Sequence, residues 1–308
     1  LDSYDFNANT VLAHPTYGDD GIVLGKLNEY PIAKGSLDVV RARILTPSAL
    51  EERIPVLNGP RLREIGASKW AQYELVPEYM PRTISIAADQ IPDQELLDSL
   101  VGEQLVVKAD TSQDSRHIKI CSRIEVPNAV MGMRDSFVRE EKESGRVRKN
   151  HKIDVQEYVK GLSWQELRGV DDANKEALIS AETTELRIYC YVDKNRKIPL
   201  DMRYFATARA LGPGYDNWIS VDQDSVPFEA WEIVDEASDR LLDEADVPGG
   251  YFAVDLIKGK AARDAEERIY IREINTRDPM MVEAEDNLYD ANMQRKMLAN
   301  AMATMAKL

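Results

Sequence analysis

The sequence predicts an α+β fold built mainly on antiparallel sheet, and three observations carry that expectation. From Glu185 to Val192 the residues alternate: Leu186, Ile188, Cys190 and Val192 are apolar, while Glu185, Arg187, Tyr189 and Tyr191 carry polar groups. That is the period of two of a strand with one apolar face. A turn at Asp193–Arg196 leads into a second strand-like run, Lys197–Thr207, and Tyr251–Ile257 and Arg268–Asn275 repeat the arrangement across a charged loop. Finally, strands come in runs broken by a few helices, without the strand–helix alternation of a parallel sheet.

The elements follow in order. Residues 1–57 are rich in Gly, Asp and Pro, with short strands expected at Arg41–Leu45 and Arg53–Leu57 before the turn Asn58-Gly59-Pro60. Arg61–Tyr79 reads as helix on the spacing of Leu62, Ile65, Trp70, Tyr73 and Leu75, with Pro77 and Pro81 marking its end. A short helix follows at Gln94–Val101. Strands are expected at Gln104–Lys108, Ile118–Ser122 and Asp154–Val159. Pro227–Glu244 reads as helix, broken by Pro248-Gly249-Gly250, and the Ala-, Met- and Leu-rich stretch Asn287–Leu308 reads as a closing helix. The expected organisation is an irregular N-terminal region over 1–66, a small lobe over 67–160 and a large lobe over 161–308.

Composition removes most functional classes. The 308 residues are 44% hydrophobic and 30% charged, which is globular, and 39 Lys and Arg against 54 Asp and Glu leave a formal charge of −15. So acidic a surface repels phosphate backbones and anionic lipid, so neither a nucleic acid nor a membrane is an expected partner. No apolar run approaches the roughly 20 residues that span a bilayer. The opening Leu1-Asp2-Ser3-Tyr4-Asp5 lacks the layout of a secretory signal, and without an initiator Met the sequence is expected to begin after missing residues. Cys121 and Cys190 are the only cysteines, which fits a reducing, cytoplasmic setting. His14, His117 and His151 form no metal-spaced pair, and neither GxxxxGK[ST] nor a GxGxxG after a strand occurs. The chemistry must run on carboxylates, Lys, Arg and backbone.

Four constellations could carry it. In Arg272-Glu273-Ile274-Asn275-Thr276-Arg277, strict alternation puts Ile269 and Ile271 on the face that ends in Glu273 and Asn275. With Asp255 on the preceding strand these are hard oxygen donors, the set that suits magnesium bridging nucleotide phosphates. Alone, an E-x-N tripeptide more often marks a strand end fraying into solvent, with Glu273 paired to Arg272 or Arg277. Lys108 ends the apolar strand Leu105-Val106-Val107 ahead of a small polar loop, Ala109–Arg116, and can set its ammonium against a phosphate; alone, such a lysine more often reaches solvent. Val155-Gln156-Glu157-Tyr158-Val159-Lys160-Gly161 is a strand edge able to meet an adenine rim through backbone groups, with Glu166 a candidate ribose ligand. Arg187 and Arg203 project from neighbouring strands beside Glu185 and Asp201, either as salt bridges or as a clamp on a carboxylate or a transferring phosphoryl group.

In sequence order, Asn58, Lys69 in Ala67-Ser68-Lys69-Trp70, Pro81-Arg82-Thr83, Val107-Lys108, Gln156–Gly161, Glu185-Leu186-Arg187, Asp255 and Glu273-Ile274-Asn275 resemble the ATP-grasp superfamily, from about Asn58 onward. Glu185-Leu186-Arg187 and the Asp255, Glu273-x-Asn275 set look most like its carboxylate–amine ligase branch. The resemblance implies two α+β lobes with largely antiparallel sheets clasping ATP, with Mg2+ at the phosphates. It implies Lys69 and Lys108 on the phosphates, and Gln156, Glu157 and Val159 at the adenine, with Glu166 toward the ribose. Asp255, Glu273 and Asn275 fall on the metal ligands, Arg203 and Arg277 on the developing charge, and Arg187 on the acceptor carboxylate. The implied activity is ATP-dependent joining of a carboxylate to an amine through an acyl-phosphate, with release of ADP and phosphate. Implied partners are small-molecule or peptide substrates and, for the assembly, a homodimer. A kinase that stops at phosphoryl transfer, or a nucleotide-binding protein without catalysis, would use the same residues.

Overall fold

The computed structural model describes residues 23–24, 56–57, 60–111, 117–144, 152–168, 178, 181–195, 203–211 and 218–276. The strand expected at Arg41–Leu45, the helix expected at Asn287–Leu308 and the site residue Arg277 lie outside the described residues. A two-residue parallel pair, β1 (Val23–Leu24) and β2 (Val56–Leu57), comes first. Two short helices follow, α1 (Pro60–Ala67) and α2 (Lys69–Leu75). They replace the single expected helix because Ser68 breaks the run: its hydroxyl accepts the Ala71 N–H at 3.1 Å and caps α2.

The small sheet comprises β3 (Thr83–Ala87), β4 (Gln104–Ala109), β5 (Ile118–Ser122) and β6 (Lys152–Glu157). All its pairs are antiparallel, in the order β3-β6-β4-β5. A short α3 (Gln94–Asp98) and a long α4 (Val126–Ser144) complete the lobe. Helix α4 has no counterpart among the expected elements, although Val126, Ala129, Val130, Met133 and Phe137 are spaced as one helical stripe and are all buried. They pack on Leu105, Val107, Ile153 and Val155. Alternation sends Val106, Lys108, Asp154 and Gln156 to the opposite face, with Val106 paired to Gln156 and Lys108 to Asp154.

Beyond β6 the chain crosses to a second sheet through one residue, Tyr158. There β7 (Val159–Gly161) pairs with the far end of β11 (Gly249–Ala261). The approach is close: a Cβ on Gly259 would lie 2.5 Å from the Lys160 carbonyl oxygen, so only glycine fits. The main sheet runs β10 (Ile219–Ser220), β9 (Tyr204–Ala210), β8 (Thr184–Asp193), β11, β12 (Arg268–Asn275), antiparallel throughout. One face, carrying Leu186, Ile188, Ala206, Val254, Leu256 and Ile271, packs on α5 (Phe228–Ala245) through Ile233, Val234, Leu241 and Leu242. Leu62, Ile65, Val76 and Met80 join that same core, so α1 and α2 sit on the large lobe and the chain enters the small sheet at Thr83, not at residue 67.

A buried side chain ties α2 to β12. Gln72, fully buried, accepts the Ile274 N–H at 2.8 Å and donates to the carbonyls of Ile274 (3.1 Å) and Gly66 (2.9 Å). Its amide therefore extends the β12 ladder beside Glu273 and Asn275. Gly66 must stay a glycine, because a methyl there would overlap the Thr276 side chain. Among the described residues no helix is long and apolar enough to cross a membrane. Replacing Gln72 with Ala strands these backbone groups in the core. Urea unfolding is expected to register a loss of about 1–3 kcal/mol, with unchanged stability the contrary result.

Candidate active site

The second face of the main sheet is polar. Pairing puts Arg187 opposite Asp255 on one side and Thr207 on the other, and Asp255 opposite Glu273. Between Asp255 and Leu256 the register slips: Asp255 faces Glu273, yet Leu256 faces Ile271. Arg272 is the extra residue of a β-bulge. The bulge overturns the expected face assignment. Ile269 and Ile271 lie in the core with Ile274, while Glu273 and Asn275 occupy the opposite face with Asp255. Alternation alone could not show this, but two apolar positions two apart followed by a third at three were its signal.

Asp255 is 3% exposed and ionically gripped. Arg187 donates through Nε to Oδ1 at 2.6 Å and through Nη2 to Oδ2 at 2.7 Å, and Asn275 Nδ2 adds a bond to Oδ2 at 3.0 Å. Arg187 is in turn stacked on Trp218, 4.3 Å from the ring centroid, and Arg209 is 4.4 Å from the same ring. Glu185, also buried, takes Arg209 Nε at 2.7 Å and Arg272 Nη1 at 2.5 Å.

The small sheet's polar face stands across a cavity of about 300 Å3. One part of its wall is hydrocarbon: Val106, Ile118 and Ile120 from the small sheet, Val159, Leu211 and Ile257 from the large lobe. Lys69, Lys108, Arg272 and Glu273 supply charge. Lys69 Nζ lies 3.8 Å from Glu273 Oε1 and 3.5 Å from the Asp110 carbonyl. The Asp110 carboxylate braces the start of α2, accepting the Ser68 hydroxyl and the Trp70 N–H. Lys108 donates to Gln156 Oε1 at 3.0 Å, and Gln156 is oriented by its own bond to Thr83 Oγ1 at 2.8 Å.

Burial pushes the Lys108 ammonium down to about 8, with Lys69 and Arg272 acting in the same direction and Asp154 and Glu273 opposing. Burial pushes Asp154 up to about 6, assisted by Asp110. Because Lys108 binds its proton less tightly folded than unfolded, stability increases as pH rises from about 8 toward the ordinary lysine value.

Other expected residues are placed differently. Gln156, Glu157 and Val159 all line the cavity, but the Glu157 carboxylate is turned away. It accepts Arg263 Nε at 2.5 Å and the Val101 N–H at 2.6 Å, which leaves its backbone for any ligand. Glu166 pairs with Lys258 at 3.5 Å on the surface and does not line the cavity, so the ribose role expected of it finds no support. Arg203 does not stand beside Arg187: its carbonyl accepts the Tyr191 N–H, four residues along β8 and about 14 Å away at strand rise. Like Arg187, Asp255 and Asn275, Arg203 is absent from the cavity lining; what the register removes is a joint clamp by Arg187 and Arg203. Sequence reasoning missed Gln72, Trp218 and Arg263, and gave Arg272 only as a partner for Glu273. Each acts through a fold-dependent partner.

The oxygen donors can be tested for a divalent cation. Among the described residues no three His, Cys, Asp or Glu side chains form a metal-holding group. Asp255 and Glu273 on facing positions, with Asn275, still offer two carboxylates and an amide. That suits Mg2+, which commonly takes one or two carboxylates and completes its shell from phosphates and water. The donors fit, with Arg187 supplying the positive charge at Asp255 in the described state.

Solved structures with this fold include a D-alanine–D-alanine ligase from Bacillus anthracis complexed with ATP, at 16% identity and TM-score 0.50, covering 85% of this chain and 75% of that one. A D-cycloserine synthetase matches at 13% and 0.52, covering 83% and 77%. A D-alanine–D-alanine ligase from Coxiella burnetii matches at 13% and 0.50, covering 93% and 68%. Neither a family model nor a curated protein sequence matches the chain.

A polyanion beside Lys108 favours the ammonium, so binding of a polyphosphate that enters the cavity, tested with ATP, should take up a proton at pH 8–9 and weaken as pH rises. Titration calorimetry in buffers of different ionisation enthalpy should register the uptake in the wild-type chain and lose it in Lys108→Met. Equal proton uptake in both would contradict the assignment.

Proposed function

We propose that this chain, which has the ATP-grasp fold, is an ATP-dependent carboxylate–amine ligase. The observation that carries the reading is the cavity between the two sheets, hydrocarbon along one part and lined by Lys69, Lys108 and Glu273 at another. An adenine suits the slot between Val106 and Ile257, with backbone of Glu157 to Val159 along its rim. Lys69 and Lys108 hold the phosphates. Asp255, Glu273 and Asn275 would hold Mg2+, which supplies charge neutralisation at the transferring phosphoryl group.

In the proposed reaction a substrate carboxylate oxygen attacks the γ-phosphorus and the bond to the bridging oxygen breaks, releasing ADP. An amine then adds to the acyl carbon, phosphate leaves with the bonding pair, and the amine nitrogen gives up a proton. The chain's part is positioning and charge. The lysines keep the phosphates in line, and Arg187 would meet the substrate carboxylate. Solved neighbours named as D-alanine–D-alanine ligases and a D-cycloserine synthetase support this class of chemistry. Small-molecule or peptide acids and amines are the proposed substrates, and Arg277 remains a proposed partner of the developing charge. The engagement of both Asp255 oxygens by Arg187 favours one alternative, a nucleotide-binding protein without turnover.

With ATP, Mg2+ and a panel of carboxylate–amine pairs, the chain should release ADP and phosphate, and hydroxylamine should trap the activated acid as a hydroxamate. Glu273→Gln should lower turnover by about 100-fold or more. AMP and pyrophosphate as products would contradict the mechanism, a phospho-alcohol without hydroxamate would indicate a kinase, and ATP binding without turnover would favour the alternative.

A further inference from the structure

Arg272 lines the same cavity as Lys69 and Lys108 without belonging to the phosphate lysines or the oxygen donors. It gets there by an irregularity. In a regular strand consecutive side chains point to opposite faces, so Arg272 and Glu273 could not line one cavity together. The bulge at this point leaves Arg272 without an opposite residue on β11 and sends both side chains inward.

The guanidinium is also held. Nη1 donates to Glu185 Oε1 at 2.5 Å, and Glu185 is only 1% exposed and shared with Arg209. One carboxylate serves two guanidinium groups, so Glu185 alone does not balance both, and Asp255 and Glu273 also act on Arg272. The Arg272 side chain is still 37% exposed, and of an arginine's five N–H donors one goes to Glu185 among the described residues. Lys69, Lys108 and Arg272 line the same cavity, with Glu273 3.8 Å from Lys69 among them.

We propose that Arg272 is a third phosphate-binding cation, fixed on Glu185 and selective for the terminal phosphate of a nucleoside triphosphate. This rests on the cavity being the nucleotide site. A planar fork clamped through one amino group is pre-organised, and its other donors can meet two phosphate oxygens at once, which a lysine cannot do. The feature therefore adds discrimination between ATP and shorter nucleotides more than general affinity.

The test is titration calorimetry of the wild-type chain, Arg272→Met and Arg272→Lys with ATP, ADP and AMP in turn, alongside thermal unfolding of each. Arg272→Met should weaken ATP by about tenfold or more, the loss of a charge-assisted bond, while AMP affinity stays the same, and Arg272→Lys should restore part of the ATP preference. An equal loss for ATP and AMP, or a lower melting temperature with an unchanged ATP-to-AMP ratio, would assign Arg272 a purely structural role and overturn the inference. If the wild-type chain binds ATP and the ratio in Arg272→Met is unchanged, this inference fails alone. If the wild-type chain binds no adenine nucleotide, the reading of the cavity fails and takes this inference with it.

Discussion

A carboxylate shut away from water must be neutralised, and at Asp255 the two-pronged bond from Arg187 does this. The pair joins the facing positions of β8 and β11, and Asn275 brings β12 into the same knot. Next along the sheet the theme recurs with the roles shared, as Glu185 balances Arg209 and Arg272. The main sheet is consequently two-sided in a strong sense. One side is hydrocarbon packed on α5, and the other is a lattice of opposed charges, of which Arg272 and Glu273 reach the cavity wall.

Positioning this lattice against the small sheet falls to a few buried connections. Tyr158 is the whole of the link between β6 and β7, which by itself would leave the lobes free to pivot. Glu157 and Arg263 bridge that link from either lobe, while Asp110 reaches from the end of β4 to the start of α2 on the large lobe. Gln72 then carries the restraint from α2 to the edge of β12. Lys69 and Lys108 thus come from different elements yet arrive at one cavity, where burial first and the Lys69 charge next loosen the Lys108 proton.

The amino-acid pattern revealed much of this. The alternation of Leu186 through Val192 matches β8, Arg268–Asn275 matches β12 to the residue, and Lys108, the cation that ends an apolar strand, is buried on the cavity wall. What stayed hidden depended on tertiary partners. Period-two reasoning assumes an unbroken strand, so the bulge at Arg272 moved Glu273 to the face opposite Ile271. Arg187 and Arg203 lie on adjacent runs of chain as expected, but the register of β8 with β9, which neither strand spells out, sets them four positions apart. Helix α4 was overlooked although its stripe was present, since Pro127, Gly132 and the surrounding charges diluted it. Glu157 lines the cavity as its place on the strand edge predicts, but only Arg263, more than a hundred residues on, reveals where its carboxylate goes.

The central claim is that Asp255, Glu273 and Asn275 gather a divalent cation that carries the phosphates held by Lys69 and Lys108. A crystal structure with Mn2+ and a non-hydrolysable ATP analogue tests it most directly, since anomalous scattering locates the metal independently. The account predicts manganese bridging Glu273 and the terminal phosphates, with at least one Asp255 oxygen freed from Arg187. Manganese bound elsewhere, or a nucleotide lying outside the cavity between the sheets, would contradict it.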